Sequence, residues 1–597
     1  MSQRLPIPLA EEVRAWRQAD PDPATGAELD ELVAAGDVAE LSRRFGARLE
    51  FGTAGIRAPL GAGPARMNRL AVARIGLGLA EAFVALRPPD GAGQGTLDAV
   101  VGYDGRHGSA TFAEDLARML ERRSLSVAVL PTPVPTPVLA FAVRHLGATW
   151  GLMVTASHNP PQDNGLKVYG ADGAQIIAPT DGWLAEHIAD ADWRSLPEGW
   201  AEEPLRASRP EGVVDAYVAQ VVGALAAEPT SVPGELRVVH SALHGVGSPT
   251  LRATFALAGL RVPEPVPEQD APDPDFPTVA FPNPEEPGAL DLALERARRS
   301  GADLVVVNDP DADRLAVALP HALGDWRALS GDELGGLLGD WALRRRWTAE
   351  AEQPVVATTV VSSSLLRKLA VASGARCVTT LTGFKWIVRA AGAGRRPRFG
   401  YEEALGYAVL PDVVADKDGI SAALAVVLLA SALAREGRRI QDRLDELALA
   451  HGVHVTAQRS VRLPEGASLA ELAELMRRAR RDPPRALGGE PVEVADLAEP
   501  TRVPVDLAGG IAERSPGELV PPADVLIWRG EGMRACLRPS GTEPKLKVYL
   551  EAVEPPGALD LGAARADAAR RAASLGDEVL DRLGLGPGTT KEAKRDG

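Results

Sequence analysis

Short apolar runs that break off at glycine, proline or charge recur along this chain, between stretches whose apolar residues fall at helical spacing. Asp98 to Tyr103 reads as a strand entering the loop Asp104-Gly105-Arg106, a helical pattern follows from Thr111 to Arg123, and Ser126 to Leu130 reads as the next strand. Strand–helix–strand alternation predicts a mainly parallel sheet flanked by helices. The proline cluster Pro131 to Pro137 predicts a rigid extended connector. Thr149 to Val154 predicts another strand, which delivers Thr155-Ala156-Ser157-His158-Asn159-Pro160 onto a loop. Pro160-Pro161 cannot extend a central strand, because proline has no N–H for the ladder. Asn164-Gly165 then predicts a turn into a further strand, Leu166 to Tyr169.

The same pattern resumes downstream. A second α/β unit opens near Leu236 to His240 and closes at Asp303 to Val307, with the Pro/Glu/Asp-rich interval Val262 to Pro287 as a long loop. A third starts at Pro354 to Val361 and ends around Ile420 to Ala434, an apolar helix preceded by Asp416-Lys417-Asp418-Gly419. The last runs from about Val453 to Leu550, with a charged helical insert between Leu469 and Arg481. Ahead of all these, Glu11 to Arg48 predicts two helical pieces broken at Pro21-Asp22-Pro23. Val13, Trp16, Leu29, Leu32 and Val33 share an apolar face there, as in an extension packed on the first domain. The tail after Pro587 lacks large apolar residues, which predicts disorder.

Length and charge narrow the classes. At 597 residues the chain is too long for one core, and about four domains are expected. Lys+Arg 65 against Asp+Glu 81 gives a net charge of −16, which opposes non-specific binding to nucleic acid or an anionic membrane. An anionic substrate would need a local basic pocket. Cys377 and Cys536 are the only cysteines, so no disulfide framework is implied and a reducing cytoplasm fits. The N-terminus meets Glu11-Glu12 with no long apolar core before it, unlike a signal peptide, and the Ile420 run is shorter than the roughly 20 residues of a spanning helix.

Four loops carry candidate chemistry. Ser157, at a strand end beside a turn, is placed as an exposed nucleophile would be. Asp309, Asp311 and Asp313 alternate directly after the apolar run Leu304 to Val307 and repel one another unless a cation sits among them. Hard oxygen ligands on a short loop suit Mg²⁺, and a solvated acidic turn is the alternative. An EF-hand fails, because its sixth position would be Arg314 and its twelfth Pro320. Arg538, Ser540, Gly541 and Thr542 make either an anion cradle or a polar turn before the strand Leu546 to Leu550. Glu402 and Glu403 follow Phe399-Gly400, where an acidic pair is commonly solvated surface. His240 and His244 read as structural.

A serine loop, an aspartate loop, a glutamate loop and a phosphate-type loop in this order resemble the α-D-phosphohexomutase superfamily of phosphoglucomutases and phosphomannomutases, from about Phe51 to Tyr549. Phe51-Gly52-Thr53-Ala54-Gly55-Ile56-Arg57 and Leu381-Thr382-Gly383-Phe384-Lys385-Trp386 are similar to patterns of its phosphoglucomutase 2 and phosphopentomutase subgroup. The resemblance implies three similar mixed-sheet α/β domains and a distinct C-terminal α+β domain around a central active-site cleft, expected at 1–225, 226–345, 346–452 and 453–597. It implies a mutase that moves phosphate between the 1- and 6- (or 5-) positions of a sugar through phosphoserine and a bisphosphate. Ser157, His158, Lys167 and Arg57 would be catalytic, Ser157 with Asp309, Asp311 and Asp313 would hold Mg²⁺, and a sugar 1,6-bisphosphate would act as activator. Lys167 would assist proton transfer, with its pKa lowered by burial and nearby positive charge. Arg314, Lys385, Glu402, Glu403, Arg538, Ser540, Gly541 and Thr542 would bind the sugar phosphate. Ala404 replaces the serine of the commoner Gly-Glu-Glu-Ser form, so the choice among glucose, mannose and pentose stays open. A bisphosphate synthase, a metal-dependent phosphatase and a non-catalytic sugar-phosphate-binding protein are the competing readings.

Overall fold

Apolar continuity makes Trp150–Val154 a fully buried strand, and its neighbours define the first sheet. In this computed structural model the described residues are 6–51, 55–87, 97–226, 236–321, 324–345, 353–392, 394–464, 467–498, 522–540, 544–557 and 560–586. They fall into two compact units, 1–328 with 406–431 and 329–405 with 432–597.

The first unit holds two five-stranded sheets that share the order of four strands, while the fifth, an edge strand, precedes the others along the chain in one sheet and follows them in the other. One runs Ile56–Pro59, Asp163–Gly170, Trp150–Val154, Ala99–Tyr103, Val127–Val129; the other runs Trp326–Ala328, Ala316–Pro320, Leu304–Val307, Val238–Ser241, Glu264–Pro265. In each, three neighbouring strands pair in parallel and the second strand in the order, Asp163–Gly170 or Ala316–Pro320, runs antiparallel to both of its neighbours, so the sheets are mixed. The Ser157 loop leaves the C-terminal end of the middle strand of the first sheet, and the Asp309 loop leaves the matching end of the second. Both loops lie outside the carboxyl ends of parallel strands, where open α/β sheets bind ligands.

Several local expectations change. Asn164 and Gly165 are not a turn but lie inside Asp163–Gly170, where Gly165 pairs with Arg57. A Cβ on Gly165 would stand 2.3 Å from the Ile56 carbonyl oxygen, so the close pairing needs glycine there. The proline cluster is not wholly connector: the helix Thr136–His145 starts within it, with Pro137 in its first turn. The N-terminal region forms three helices, Ile7–Ala19, Pro23–Ala35 and Val38–Phe45, rather than two. Val13, Trp16, Leu29 and Leu41 join the core of the first sheet, whereas Leu32 is only partly buried and Val33 is exposed.

The second unit contains the parallel neighbours Arg376–Thr380, Val355–Thr359 and Phe399–Glu402. Its five-stranded sheet is antiparallel throughout, in the order Val453–Arg462, Lys545–Glu554, Met533–Pro539, Leu526–Gly530, Glu493–Asp496. The charged helix expected at Leu469–Arg481 is present, and Leu472, Leu475 and Met476 pack into this sheet's core beside Trp528 and Val579. Cys377 and Cys536 carry free thiols. Among the described residues no single helix is long and apolar enough to cross a membrane. The tail after Pro587 lies outside the described residues.

Candidate active site

Ser157 sits with φ +54°, in the left-handed region, and is buried rather than exposed as expected, because the Asp309 loop and His158 pack against its hydroxyl. The backbone N–H of Ser157 donates to Thr155 Oγ1 at 2.8 Å, while its own hydroxyl donates to Asp309 Oδ2 at 3.0 Å and stands 3.0 Å from His158 Nδ1. The loop is held from beneath by Arg106. That buried guanidinium donates to the carbonyls of Ser157 (2.7 Å), Asn159 (2.5 Å), Pro160 (2.8 Å) and Asp163 (3.1 Å). It also pairs with buried Asp104 at 3.4 Å and lies 4.9 Å from the Phe276 ring centroid. Arg57 is exposed and its Nη1 donates to Asn159 Oδ1 at 3.1 Å.

Asp309, Asp311 and Asp313 are buried and bring oxygens within 4.8 Å of one another. Asp309 has both oxygens engaged, Asp311 and Asp313 one each. Asp309 Oδ1 accepts from the Arg314 backbone N–H at 3.0 Å. Asp311 Oδ2 accepts from Thr136 Oγ1 (2.7 Å) and Lys167 Nζ (2.8 Å). Asp313 Oδ2 takes Lys167 at 2.8 Å and Lys417 at 3.3 Å. Asp311 Oδ1 and Asp313 Oδ1 are buried with no hydrogen-bond partner. Orphaned carboxylate oxygens beside a serine hydroxyl are what a hard, oxygen-seeking divalent cation requires, so the donor set fits Mg²⁺. Gly419 lets the helix Gly419–Arg435 press on this loop, as a Cβ there would stand 2.2 Å from the Arg314 carbonyl oxygen.

The charges follow from this crowding. Burial, with Asp311 and Asp313 beside it, raises the Asp309 carboxyl well above its ordinary range. Burial also opposes ionisation of Asp311 and Asp313, but Lys167 with Thr136 at Asp311, and Lys167 with Lys417 and Arg314 at Asp313, together hold both carboxyls low. Burial likewise opposes the charge on Lys167, yet Asp311 and Asp313 raise its pKa, the reverse of the lowering expected from sequence. Burial and the cations Arg314 and Arg57 push His158 well down, so its imidazole is neutral. Arg314 lies 3.5 Å from His158 Nε2 and pairs with Glu285 at 3.0 Å. Ser157, His158, Lys167, Arg314 and the aspartates thus share one site, with Arg57 tied to its loop through Asn159.

The other candidates belong to the second unit. Lys385 is buried, with Nζ 5.7 Å from the Trp386 ring centroid. Glu402 ends the strand Phe399–Glu402, and Glu403 Oε2 accepts from Ser362 Oγ at 2.9 Å and Thr359 Oγ1 at 3.3 Å. Burial, then Glu402 and Asp332, push the Glu403 carboxyl up to about 7. Arg538 lies at the end of Met533–Pro539, and the Ser540 N–H donates to the Lys545 carbonyl at 2.8 Å. Gly541 and Thr542 lie outside the described residues, as do Gly52, Thr53 and Ala54 of the first motif. His240 is buried and faces Asn308 Oδ1 at 3.1 Å, and Asn308 in turn donates to the Arg314 carbonyl at 2.7 Å. Arg106, Thr136 and Lys417 were missed in the sequence. The one signal available was the charged step Asp416-Lys417-Asp418 ahead of an apolar helix.

A strand-end serine hydrogen-bonded to one of three buried aspartates is an arrangement that suits phosphoryl transfer. Domain models of phosphoglucomutase/phosphomannomutase match in order: α/β/α domain I at residues 48–195, domain II at 215–324, domain III at 330–449 and the C-terminal domain at 492–568. The chain is 40% identical over 493 residues to a probable phosphomannomutase of Haemophilus influenzae, covering 81% of this chain and 93% of that one. It is 34% identical over 581 residues to mouse (Mus musculus) phosphopentomutase, covering 92% and 91%, and 32% identical over 515 residues to a Staphylococcus aureus phosphoglucomutase, covering 85% and 90%. In fold it is similar to a putative phosphomannomutase from Thermus thermophilus, with TM-score 0.63 and 24% identity over 88% of this chain and 99% of that one. The chain belongs to the phosphoglucomutase/phosphomannomutase family. It is an enzyme of the phosphomutase type, an isomerase built of three α/β/α domains and a C-terminal domain.

Proposed function

We propose that the protein interconverts hexose 1- and 6-phosphates, glucose or mannose, by way of phosphate carried on Ser157 and a sugar bisphosphate. The observation that carries this reading is the Ser157 hydroxyl 3.0 Å from Asp309 Oδ2, beside two carboxylate oxygens without partners. Ser157, Asp309, Asp311 and Asp313 would hold Mg²⁺, which when bound supplies Lewis-acid polarisation and charge neutralisation for the phosphoryl group. In the forward half-reaction the Oγ–P bond of phosphoserine breaks as a sugar hydroxyl oxygen takes the phosphorus. The attacking hydroxyl loses its proton and the leaving Oγ gains one, and His158, unprotonated and 3.0 Å from Oγ, is placed to take up that proton and hand it to Oγ, which restores the Ser157 hydroxyl. Lys167, held as an ammonium by two carboxylates, balances charge at the phosphoserine rather than starting as the base. Arg57 and Arg314 add positive charge to the same loops. The bisphosphate then reverses and returns its other phosphate to Ser157.

In the second unit Glu402 and Glu403 would accept sugar hydroxyl hydrogen bonds, and Lys385, Arg538, Ser540, Gly541 and Thr542 would hold the phosphate that is not reacting. A division at 1–225, 226–345, 346–452 and 453–597 accords with this assignment. Glucose, mannose and ribose 1-phosphates offered to wild type and Ser157→Ala test the proposal. Hexose turnover in wild type, lost in the variant, with phosphate on Ser157 by mass spectrometry, is the expected outcome. Release of free phosphate instead of isomer points to a phosphatase, and mutase activity surviving in Ser157→Ala removes the covalent step.

A further inference from the structure

A second concentration of positive charge lies in the second unit, apart from the proposed phosphate cradle. A cavity of about 210 Å³ opens between the segment Thr358 to Lys368 and the strands Leu526–Gly530 and Met533–Pro539. Arg367, Lys368, Arg529 and Arg534 line it, against one carboxylate, Glu551. That carboxylate is already engaged: it accepts from Ser363 Oγ at 2.8 Å and the Ser364 N–H at 2.7 Å, and pairs with Arg534 at 3.1 Å. Arg367 makes no hydrogen bond or ion pair among the described residues. Arg529 and Arg534 face each other as ladder partners on adjacent antiparallel strands. Like charges so opposed destabilise a sheet unless negative charge sits between or beside them. Glu493 stands on the other flank of Arg529 but does not line the cavity. Burial, then Arg534 and Arg367, lower the Arg529 pKa, as expected where cations crowd one space.

We propose that this cavity is an anion pocket that takes the phosphate group of a small phosphorylated metabolite. Guanidinium forks match phosphate oxygens bidentately, and the Thr358 and Ser364 hydroxyls lie along the wall. The volume is below the roughly 300 Å³ of ordinary small-molecule sites, which confines the occupant to a phosphate and a short remainder. The pocket is distinct from the Arg538 cradle, since Arg534 and Arg538 lie four positions apart on one strand, about 14 Å at 3.4 Å per residue. Its wall also reaches Glu403, through Thr359 and Ser362. An occupant that shifts this wall alters the acceptor proposed for the sugar. This last step rests on the function proposed above; the pocket itself does not.

Calorimetric titration of inorganic phosphate and of glycerol phosphate into the full-length protein tests the pocket. The expected result is a binding event that Arg538→Ala and Asp311→Asn leave in place, and that Arg367→Ala and Arg529→Ala each weaken by about tenfold or more. Arg367 is exposed, so its variant keeps the packing intact. Tighter binding of glycerol phosphate than of phosphate supports a metabolite, and equal affinity overturns that assignment in favour of the free ion. Titrations of Arg367→Ala and Arg529→Ala that match wild type overturn the pocket altogether. Failure of the Ser157 mechanism is read separately, from turnover by Ser157→Ala.

Discussion

Arg106 touches no candidate substrate group, yet its replacement should damage both stability and turnover. Its guanidinium serves four backbone carbonyls of the serine loop and one buried carboxylate. Hydrogen bonds to a charged group contribute about 1.5–3 kcal/mol each, and a simple sum of four would reach about 6–12 kcal/mol. Such bonds share one side chain and do not add. The better guide is the removal of one partner from a buried ion pair, about 3–5 kcal/mol, because Arg106 and Asp104 side chains are each only 1% exposed. Burial already raises the Asp104 pKa, so without Arg106 it protonates rather than stays charged.

Arg106→Ala should therefore lower unfolding free energy by about 3–5 kcal/mol in urea. The freed loop lets Ser157 Oγ drift from Asp309, and a displacement near 1 Å costs about 10²-fold in rate. Arg106→Lys separates the two effects. A lysine keeps a charge for Asp104 but has no fork for four carbonyls, so stability should partly return while kcat stays low. Urea midpoints and steady-state kinetics on the three proteins are the assay. An Arg106→Ala protein with an unchanged midpoint and kcat within about twofold of wild type refutes the clamp.

Chelating Mg²⁺ should stop turnover without unfolding the chain, and Asp311→Asn should raise the metal concentration needed for half activity; an unchanged rate in metal-free buffer speaks against the aspartate site. Arg538→Ala should weaken sugar monophosphate and bisphosphate alike, by about 2–5 kcal/mol if that charge pair is desolvated, read by calorimetry. Glu403 supplies a pH prediction: its carboxyl, near 4.5 when unfolded and about 7 in the fold, keeps its proton longer in the folded state. Between these values the unfolded chain binds fewer protons, so the Glu403 contribution to stability falls as pH rises and is flat above about 7. Urea midpoints of Glu403→Gln should lose that downward slope, and parallel profiles for variant and wild type contradict the assignment.

The residues legible in the sequence are those whose chemistry is written locally. Three alternating aspartates after a Val-rich run, and a Ser-His pair after another, announce themselves by spacing, and both runs are strands. Strands buried on both faces read as continuous apolar runs, which is why the parallel core was visible and the edge strand Ile56–Pro59 was not. Asn164-Gly165 misled for a physical reason: the glycine serves close strand pairing rather than a turn, and the two uses look alike in one dimension. Arg106, Thr136 and Lys417 were hidden because each acts across long sequence separation. Thr136 reaches Asp311 from the first turn of a helix, and Lys417 reaches Asp313 from a segment pinned by Tyr169 on Asp416 and Tyr217 on Asp418. The sign of the Lys167 shift turns on the same distant contacts. Burial alone drives a lysine pKa down, and only the folded distances of 2.8 Å to two carboxylates reverse it. A loop's sequence therefore shows which groups are present. The protonation of Lys167 and His158 is set by burial and by partners more than a hundred residues away, so the charge state on which the Ser157 mechanism depends belongs to the fold.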